Sequence, residues 1–327
     1  MASVSVVIGI LIILYVGYRI YQYLFPPPNL SPNGKYVLIS GCDTGFGHAL
    51  AIELDKIGFH VLAGVCNSDN EKHLTQQLSN RATVFCLDIT RQEEIDAAYE
   101  LVMKKTNSLF ALVNNAGILR VGFIDWTSIE TMRTVMDVNF FGHVSMTKKF
   151  LPLLISRRES RIVNVCSAAG YISLPSLSAY STSKFAFEAF SDSLRREMRA
   201  WGLHVSIIEP GYMRTSIIEG IDHKYQEIWE TLDSAVQKRW GENYFRGYVK
   251  HVTHSVLLQN AENPHKVVKA LRHAVMNSVP KTRYRPGWQS SLFFFPLSML
   301  PTCAADYILA KLGGFNVVPD GLLEQQD

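Results

Sequence analysis

Short apolar runs rich in β-branched residues recur along the chain, at residues 36–40, 60–67, 84–88, 109–113, 161–166 and 205–209. Runs this short and this apolar suit strands buried on both faces of a parallel sheet. Between them lie longer stretches with helical periodicity, such as His48-Ala49-Leu50-Ala51-Ile52-Glu53-Leu54. Strand and helix alternate to the end of this region, and the pattern predicts an α/β fold: one doubly wound parallel sheet with helices on both faces. No internal repeat or low-complexity linker interrupts it.

Two apolar segments fall outside the alternation. Residues 4–16 carry no charge, and the apolar character continues past Arg19 and Gln22 to Phe25. About 20 apolar residues suffice to cross a bilayer, so residues 1–25 read as a transmembrane helix that anchors the chain. Tyr15, Tyr18, Tyr21 and Tyr23 suit the membrane interface, and no basic leader or small-residue cleavage site marks a signal peptide. Pro26-Pro27-Pro28 ends the helix and opens a proline-rich linker over 26–33. Arg19 and Lys35 flank the anchor on one side, which points to a cytosolic catalytic domain. The second segment, residues 288–309, is interrupted by Pro296, Pro301 and Asp306 and does not read as a membrane span. It is either a membrane-surface contact or packed core. The organisation expected is an anchor (1–25), a linker (26–33), a catalytic domain (34–287) and an apolar extension (288–327). Residues 212–248, with Met213, Ile217, Ile218, Tyr225, Ile228, Trp229, Trp240, Tyr244 and Phe245, suit a lid over a lipophilic substrate.

Composition adds little. Thirty-two basic against 29 acidic residues leave a dispersed net charge of +3, which gives no case for nucleic acid. The five cysteines have no metal-ligand spacing, and their odd number argues against a disulfide framework.

Candidate chemistry sits at the strand ends. Residues 36–40 run into Gly41-Cys42-Asp43-Thr44-Gly45-Phe46-Gly47 and then a helix, the context a nucleotide-binding turn requires. Gly41 permits the tight turn, and Gly45 and Gly47 let the backbone and helix N-terminus approach a pyrophosphate. Asp88 could accept from an adenine amino group or cap the next helix. Asn114-Asn115-Ala116-Gly117 closes another buried strand, where ligands bind in open α/β sheets. Asn139 is a poor helix-interior residue, which leaves room for a polar role. Ser167 lies thirteen residues before Tyr180, and Tyr180 and Lys184 are i and i+4, so on a helix they share a face. A free tyrosine titrates near ~10, and an ammonium beside it favours the phenolate.

These residues together resemble the short-chain dehydrogenase/reductase superfamily, a Rossmann-type fold, over nearly the whole chain from about Gly34 to Leu309. Gly-Cys-Asp-Thr-Gly-Phe-Gly at 41–47, the helix at 188–197 and Phe-Phe-Pro-Leu-Ser-Met-Leu-Pro-Thr at 294–302 narrow the resemblance to its microsomal retinol and hydroxysteroid dehydrogenase branch. The resemblance implies Tyr180 as acid/base, Ser167 orienting the substrate oxygen, Lys184 on the nicotinamide ribose and Asn139 holding a water in a proton relay. It implies Gly41, Asp43, Thr44, Gly45, Phe46 and Gly47 around the pyrophosphate, Asp88 at the adenine, and Asn114, Ala116 and Gly117 along the adenosine side. Pro210, Gly211 and Thr215 would then meet the nicotinamide carboxamide. It also implies an endoplasmic reticulum membrane location, a homodimer, and hydride transfer between a lipophilic alcohol or ketone and the cofactor. The acid that usually binds the adenine ribose of NAD is missing: Gly64 stands about where it would sit, and Asp69 comes too late. With no base for a 2′-phosphate either, the reading favours NAD over NADP. An NADPH-dependent carbonyl reductase and a non-catalytic scaffold are the alternatives.

Overall fold

The computed structural model describes residues 2–313 and 315–323. Seven strands form one sheet: β1 (Tyr36–Ile39), β2 (His60–Val65), β3 (Thr83–Cys86), β4 (Ala111–Asn114), β5 (Arg161–Val165), β6 (His204–Ile208) and β7 (Arg283–Tyr284). All pair in parallel, in the order β3-β2-β1-β4-β5-β6-β7. The helices are α1 (Ala2–Leu24), α2 (Gly45–Ile57), α3 (Ser68–Thr75), α4 (Gln92–Met103), α5 (Ile129–Met136), α6 (His143–Ile155), α7 (Ser178–Glu197), α8 (Ile221–Thr231), α9 (Ser234–Trp240), α10 (Glu242–Thr253), α11 (Val256–Gln259) and α12 (His265–Met276). Shorter turns and a helix over Thr302–Gly313 complete the chain.

Strand side chains alternate in direction, and here both directions are apolar. Val37, Ile39, Val61, Ala63, Val113 and Val163 meet α2 and α12 on one face, through Leu50, Leu54, Val267 and Leu271. Leu38, Leu62, Leu112 and Ile162 meet α4, α6 and α7 on the other, through Ile95, Val102, Phe150 and Leu194. The doubly wound sheet is as the alternation of segments predicts. Strand order reverses between β1 and β4, so the open crevice of the fold lies at their C-terminal ends.

The membrane anchor does not hold. The segment is helical, as α1, but among the described residues no helix is long and apolar enough to cross a membrane. The uninterrupted apolar run, residues 4–16, covers only about 20 Å at ~1.5 Å per residue, against ~30 Å of hydrocarbon. Beyond it, Tyr18, Arg19, Tyr21, Gln22 and Tyr23 dilute the apolar character of the helix. The transmembrane helix, the membrane as a partner, the endoplasmic reticulum location and the orientation argued from Arg19 and Lys35 fall with it. Residues 288–309 are packed against the domain in part, while Trp288, Leu292, Met299, Leu300 and Tyr307 are exposed. Gln289 and Ser290 are fully buried, and Phe294 and Leu297 pack against Ala168 and Ile172.

The proline-rich linker is docked on the domain. Asn29 pairs with Asn277, Leu30 donates to the carbonyl of Met276 (2.8 Å), and the Asn277 amide donates to Pro27 (2.8 Å).

Candidate active site

The turn after β1 crosses the end of β4 at a distance that only glycine allows. Gly41 has φ +69, and a Cβ there would stand 2.7 Å from the Cα of Ala116. A Cβ on Gly47 would strike the Asn115 amide and the Gly41 carbonyl. Asn115 clamps the two turns together: its Nδ2 donates to the carbonyls of Ser40 (3.0 Å) and Gly41 (2.9 Å), and its N–H donates to the Ser40 hydroxyl (3.1 Å). From behind, His143 donates from Nε2 to the Ala116 carbonyl (2.8 Å). Burial and then the Lys184 charge push that imidazole down to about 3, so it is a neutral structural donor. Thr44 precedes α2 without a side-chain cap, which leaves first-turn N–H groups of this helix to meet a ligand. A glycine cradle with unspent helix N–H groups is the donor set that fits a pyrophosphate.

Asp43 has a role that the sequence did not disclose. Its carboxylate accepts from the N–H groups of Cys66 and Asn67 (both 2.9 Å) and from the Asn70 amide (3.1 Å). β2 continues to Val65, so Gly64 lies inside the strand, packed on Leu87, rather than at its end. The acid at the end of β2 therefore comes from the glycine turn.

Two expected cofactor residues are turned to local work. Asp88 accepts from the N–H (2.9 Å) and hydroxyl (2.7 Å) of Thr90 in a local turn, and it does not cap α4, whose N-cap is Arg91. Asn114 is fully buried and spends its Nδ2 on Thr147 (3.1 Å) and Asn164 (2.9 Å), behind the sheet. The neighbouring Asn115 is the amide that faces the crevice. Thr215 closes over the glycine turn, with its methyl 4.0 Å from where a Gly45 Cβ would be, and Thr44 and Ser216 share a hydrogen bond of 2.9 Å.

Ser167 follows β5 in extended backbone, and Tyr180 and Lys184 occupy the first two turns of α7. The end of β5 is fastened to that helix, since the Cys166 thiol and the Lys184 ammonium donate to Lys184 O (3.3 Å) and Val165 O (3.1 Å) respectively. Lys184 Nζ lies 5.7 Å from the centre of the Tyr180 ring. Burial pushes the Tyr180 phenol above its ordinary value, partly offset by a hydrogen bond with Ser167. The direction is opposite to that expected from Lys184 alone, because burial dominates, and burial also lowers the pKa of Lys184 itself. Asn139 sits in a π-helical turn, residues 137–142, where its Oδ1 accepts from Ile118 N–H (2.9 Å) and its Nδ2 donates to Ile118 O (2.9 Å) and Ser183 Oγ (3.1 Å). Both N–H bonds are spent on protein, so its amide holds the loop at Gly117 against α7.

A cavity of about 930 Å³ opens on this constellation. Ser167, Tyr180, Lys184, Asn115, Gly117, Phe46, Pro210, Gly211 and Thr215 share its wall, whereas Asp43, Asp88, Asn114, Asn139, Ala116 and, apart from Phe46, the glycine turn at 41–47 do not. From the segment expected to form a lid, Ile221, Tyr225, Tyr244 and Tyr248 line the cavity and pack with Leu119, in a cluster that Tyr180 also packs against. Met213 is drawn partly into the core of the sheet. Phe293, Phe294, Leu309, Ala310 and Phe315 complete the enclosure from the C-terminal segment. The arrangement can hold an apolar molecule with one oxygen against Ser167 and Tyr180.

Residues 35–226 match the family model of short chain dehydrogenases. The chain is 40% identical over 282 residues to 17-beta-hydroxysteroid dehydrogenase type 6 of Bos taurus, covering 85% of this chain and 88% of that protein. It is 37% identical over 279 residues to retinol dehydrogenase 7 of Mus musculus, covering 84% and 87%. Among solved structures, a short-chain dehydrogenase from Streptomyces avermitilis superposes with a TM-score of 0.66 at 26% identity, over 86% of this chain and 96% of that one.

Proposed function

The chain belongs to the short-chain dehydrogenase family, in its retinol and hydroxysteroid dehydrogenase branch, and from that premise we propose that it is an NAD-dependent oxidoreductase interconverting a lipophilic alcohol and its carbonyl. The observation that carries the reading is the convergence of Ser167, Tyr180 and Lys184 on one wall of a largely apolar cavity. The cofactor, when bound, supplies or accepts the hydride. Gly41, Gly45, Gly47 and the start of α2 would hold its pyrophosphate, and Lys184 its nicotinamide end.

The chain's own groups move the proton. Ser167 holds the substrate oxygen beside the Tyr180 hydroxyl. In reduction Tyr180 donates its proton to the forming alkoxide, and in oxidation its phenolate takes the proton of the alcohol. Burial favours the neutral phenol, so the protein on its own is set as a proton donor. Oxidation needs positive charge near Tyr180, of which Lys184 is the fixed part. The substrate class follows from the cavity's apolar lining and from the retinol and hydroxysteroid dehydrogenases the chain resembles. The test is initial-rate kinetics with NAD and NADP against all-trans-retinol and a panel of hydroxysteroids. NAD is expected to give the higher kcat/KM, and a clear NADP preference would overturn the cofactor assignment.

Asp43 gives that preference a physical basis. Its carboxylate puts negative charge at the end of β2, the side on which the adenine ribose binds in this fold, and a 2′-phosphate would be repelled there. Asp43→Asn should raise the ratio of NADPH to NADH affinity about tenfold, the size of ~1.4 kcal/mol. Fluorescence titration of each reduced cofactor reads this directly, and an unchanged ratio would remove Asp43 from the selectivity.

A further inference from the structure

Two consecutive residues of the C-terminal segment reach the back of the wall formed after β6. Pro210, Gly211 and Tyr212 line the cavity together with Ser167 and Tyr180. Gln289 and Ser290 open a π-helical turn, Gln289–Phe294, and both are fully buried outside the cavity lining. The Ser290 hydroxyl donates to the Glu209 carbonyl (2.5 Å) and meets the Tyr171 hydroxyl at 2.8 Å. Gln289 Oε1 accepts from Tyr212 N–H (3.2 Å), and its Nε2 donates to the carbonyls of Leu257 (2.8 Å) and Asn260 (3.0 Å). A Cβ on Gly211 would stand 2.9 Å from the Gln289 Cβ, so loop and turn lie in contact.

A buried glutamine is costly unless its polar atoms are met. Here both Nε2 hydrogens and the amide oxygen are engaged, which fixes one orientation of the side chain. Capping the end of α11 would need only the nitrogen of that amide. The oxygen on Tyr212 and the Ser290 hydroxyl on Glu209 instead go to the two ends of one loop. Between those ends the Pro210 carbonyl accepts from Ala168 N–H (2.8 Å), which ties the same loop to the residue after Ser167. The loop's backbone is thus held from the reacting side and from behind. π-helical turns are rare and recur at functional sites, and this one begins at the two residues that grip the loop.

We propose that Gln289 and Ser290 are positioning residues for hydride transfer, fixing the Glu209–Tyr212 wall against which the nicotinamide end of the cofactor is held. The proposal rests on the reading of this cavity as the site of an NAD-dependent oxidoreductase. Neither residue lines the cavity, so neither touches a reacting atom. Neither adds to the hold on the pyrophosphate, which belongs to the glycine turn. Their effect is on orientation. A loosened wall leaves the cofactor bound with its nicotinamide less constrained, and misplacement by about 1 Å can cost about a hundredfold in rate.

The test uses Ser290→Ala and Gln289→Met, with Ser291→Ala as the control. Ser291 stands in the same turn, but its hydroxyl donates to the Gly287 carbonyl (2.6 Å) and not to the loop. Turnover is measured with NAD and whichever of all-trans-retinol and the hydroxysteroids the wild-type protein oxidises faster. Independently, NADH and ADP-ribose are titrated, and the emission lifetime of bound NADH reports how firmly its nicotinamide is held. Ser290→Ala and Gln289→Met should each lower kcat about tenfold or more and shorten that lifetime. Their affinities for NADH and ADP-ribose should stay within about threefold of wild type, because the pyrophosphate cradle is untouched. Ser291→Ala should keep both the rate and the lifetime. Should Gln289→Met fail to fold, Ser290→Ala decides alone. An unchanged rate or lifetime in Ser290→Ala, or the same losses in Ser291→Ala, would overturn the positioning role. So would a fall in ADP-ribose affinity as large as the fall in kcat, since the turn would then be holding the fold and not the nicotinamide. If no alcohol is oxidised but the lifetime still shortens in Ser290→Ala, the positioning role stands and the reading of the substrate fails.

Discussion

Replacing Tyr180 by phenylalanine should lower kcat by about a thousandfold or more while NADH affinity changes by less than about twofold. A positioned acid/base is worth ~100- to 10,000-fold, and here no neighbouring group can stand in for it. Ser167 is a hydroxyl already engaged with Tyr180 and with the N–H of Ala169 (3.1 Å), and Lys184 is held to Val165 O by one of its three N–H groups. The ring and its packing survive the substitution, so the loss belongs to the proton. The pH dependence carries a sign that can be checked in the wild-type protein. Burial raises the Tyr180 pKa, so the protonated donor predominates at neutral pH and reduction should be flat there. Oxidation needs the phenolate and should rise with pH into the alkaline range, a rise that Tyr180→Phe removes. Initial rates in both directions, with NADH fluorescence for binding, decide the matter. A variant that keeps the wild-type rate would take Tyr180 out of the mechanism.

Gly41→Ala should weaken NADH binding by about a hundredfold or more and lower the melting temperature by several degrees. Alanine at φ +69 costs ~1–2 kcal/mol in backbone strain alone. Its Cβ would also stand 2.7 Å from the Cα of Ala116, a backbone atom held by Asn115 and His143 through their bonds to the two turns. The collision can be relieved only by moving the turns apart, which opens the cradle. Gly34→Ala is the control: φ is +66, but a Cβ there meets nothing within 4 Å. It should cost a similar strain energy in thermal stability and leave NADH affinity intact. Calorimetry and fluorescence titration on both variants separate the two effects, and equal NADH affinity in Gly41→Ala would show that the turn does not form the cofactor cradle.

Much of this was legible in the sequence because it depends on local spacing. Tyr180 and Lys184 share a helical face by periodicity, and the short apolar runs could only be buried parallel strands. What was not legible depends on which distant segments meet. Asp43 reads as one polar residue of a glycine turn, and its bonds to Cys66 and Asn67 exist only once β1 and β2 are paired. The doublet Asn114-Asn115 shows two amides at a strand end. Side-chain alternation sends the first into the interior network and the second to the crevice, and the sequence does not say which. The anchor failed for another reason. Apolar character was read across residues 4–25 as though evenly spread, when it is concentrated before Tyr18.

The cavity walls come from two sources with separate histories in the chain. Proton-transfer groups sit at the end of β5 and on α7, while α8, α10 and the stretch ending at Phe315 line the cavity together with Leu119, Phe123 and residues 172–177. Phe315 touches the rings of Tyr244, Tyr248 and His251, at 5.1, 5.5 and 5.6 Å. Part of the lining is thus encoded far along the chain from the reacting groups. A tag or deletion placed at the C-terminal stretch would act first on the lining contributed by Leu309, Ala310 and Phe315, far along the chain from Ser167, Tyr180 and Lys184.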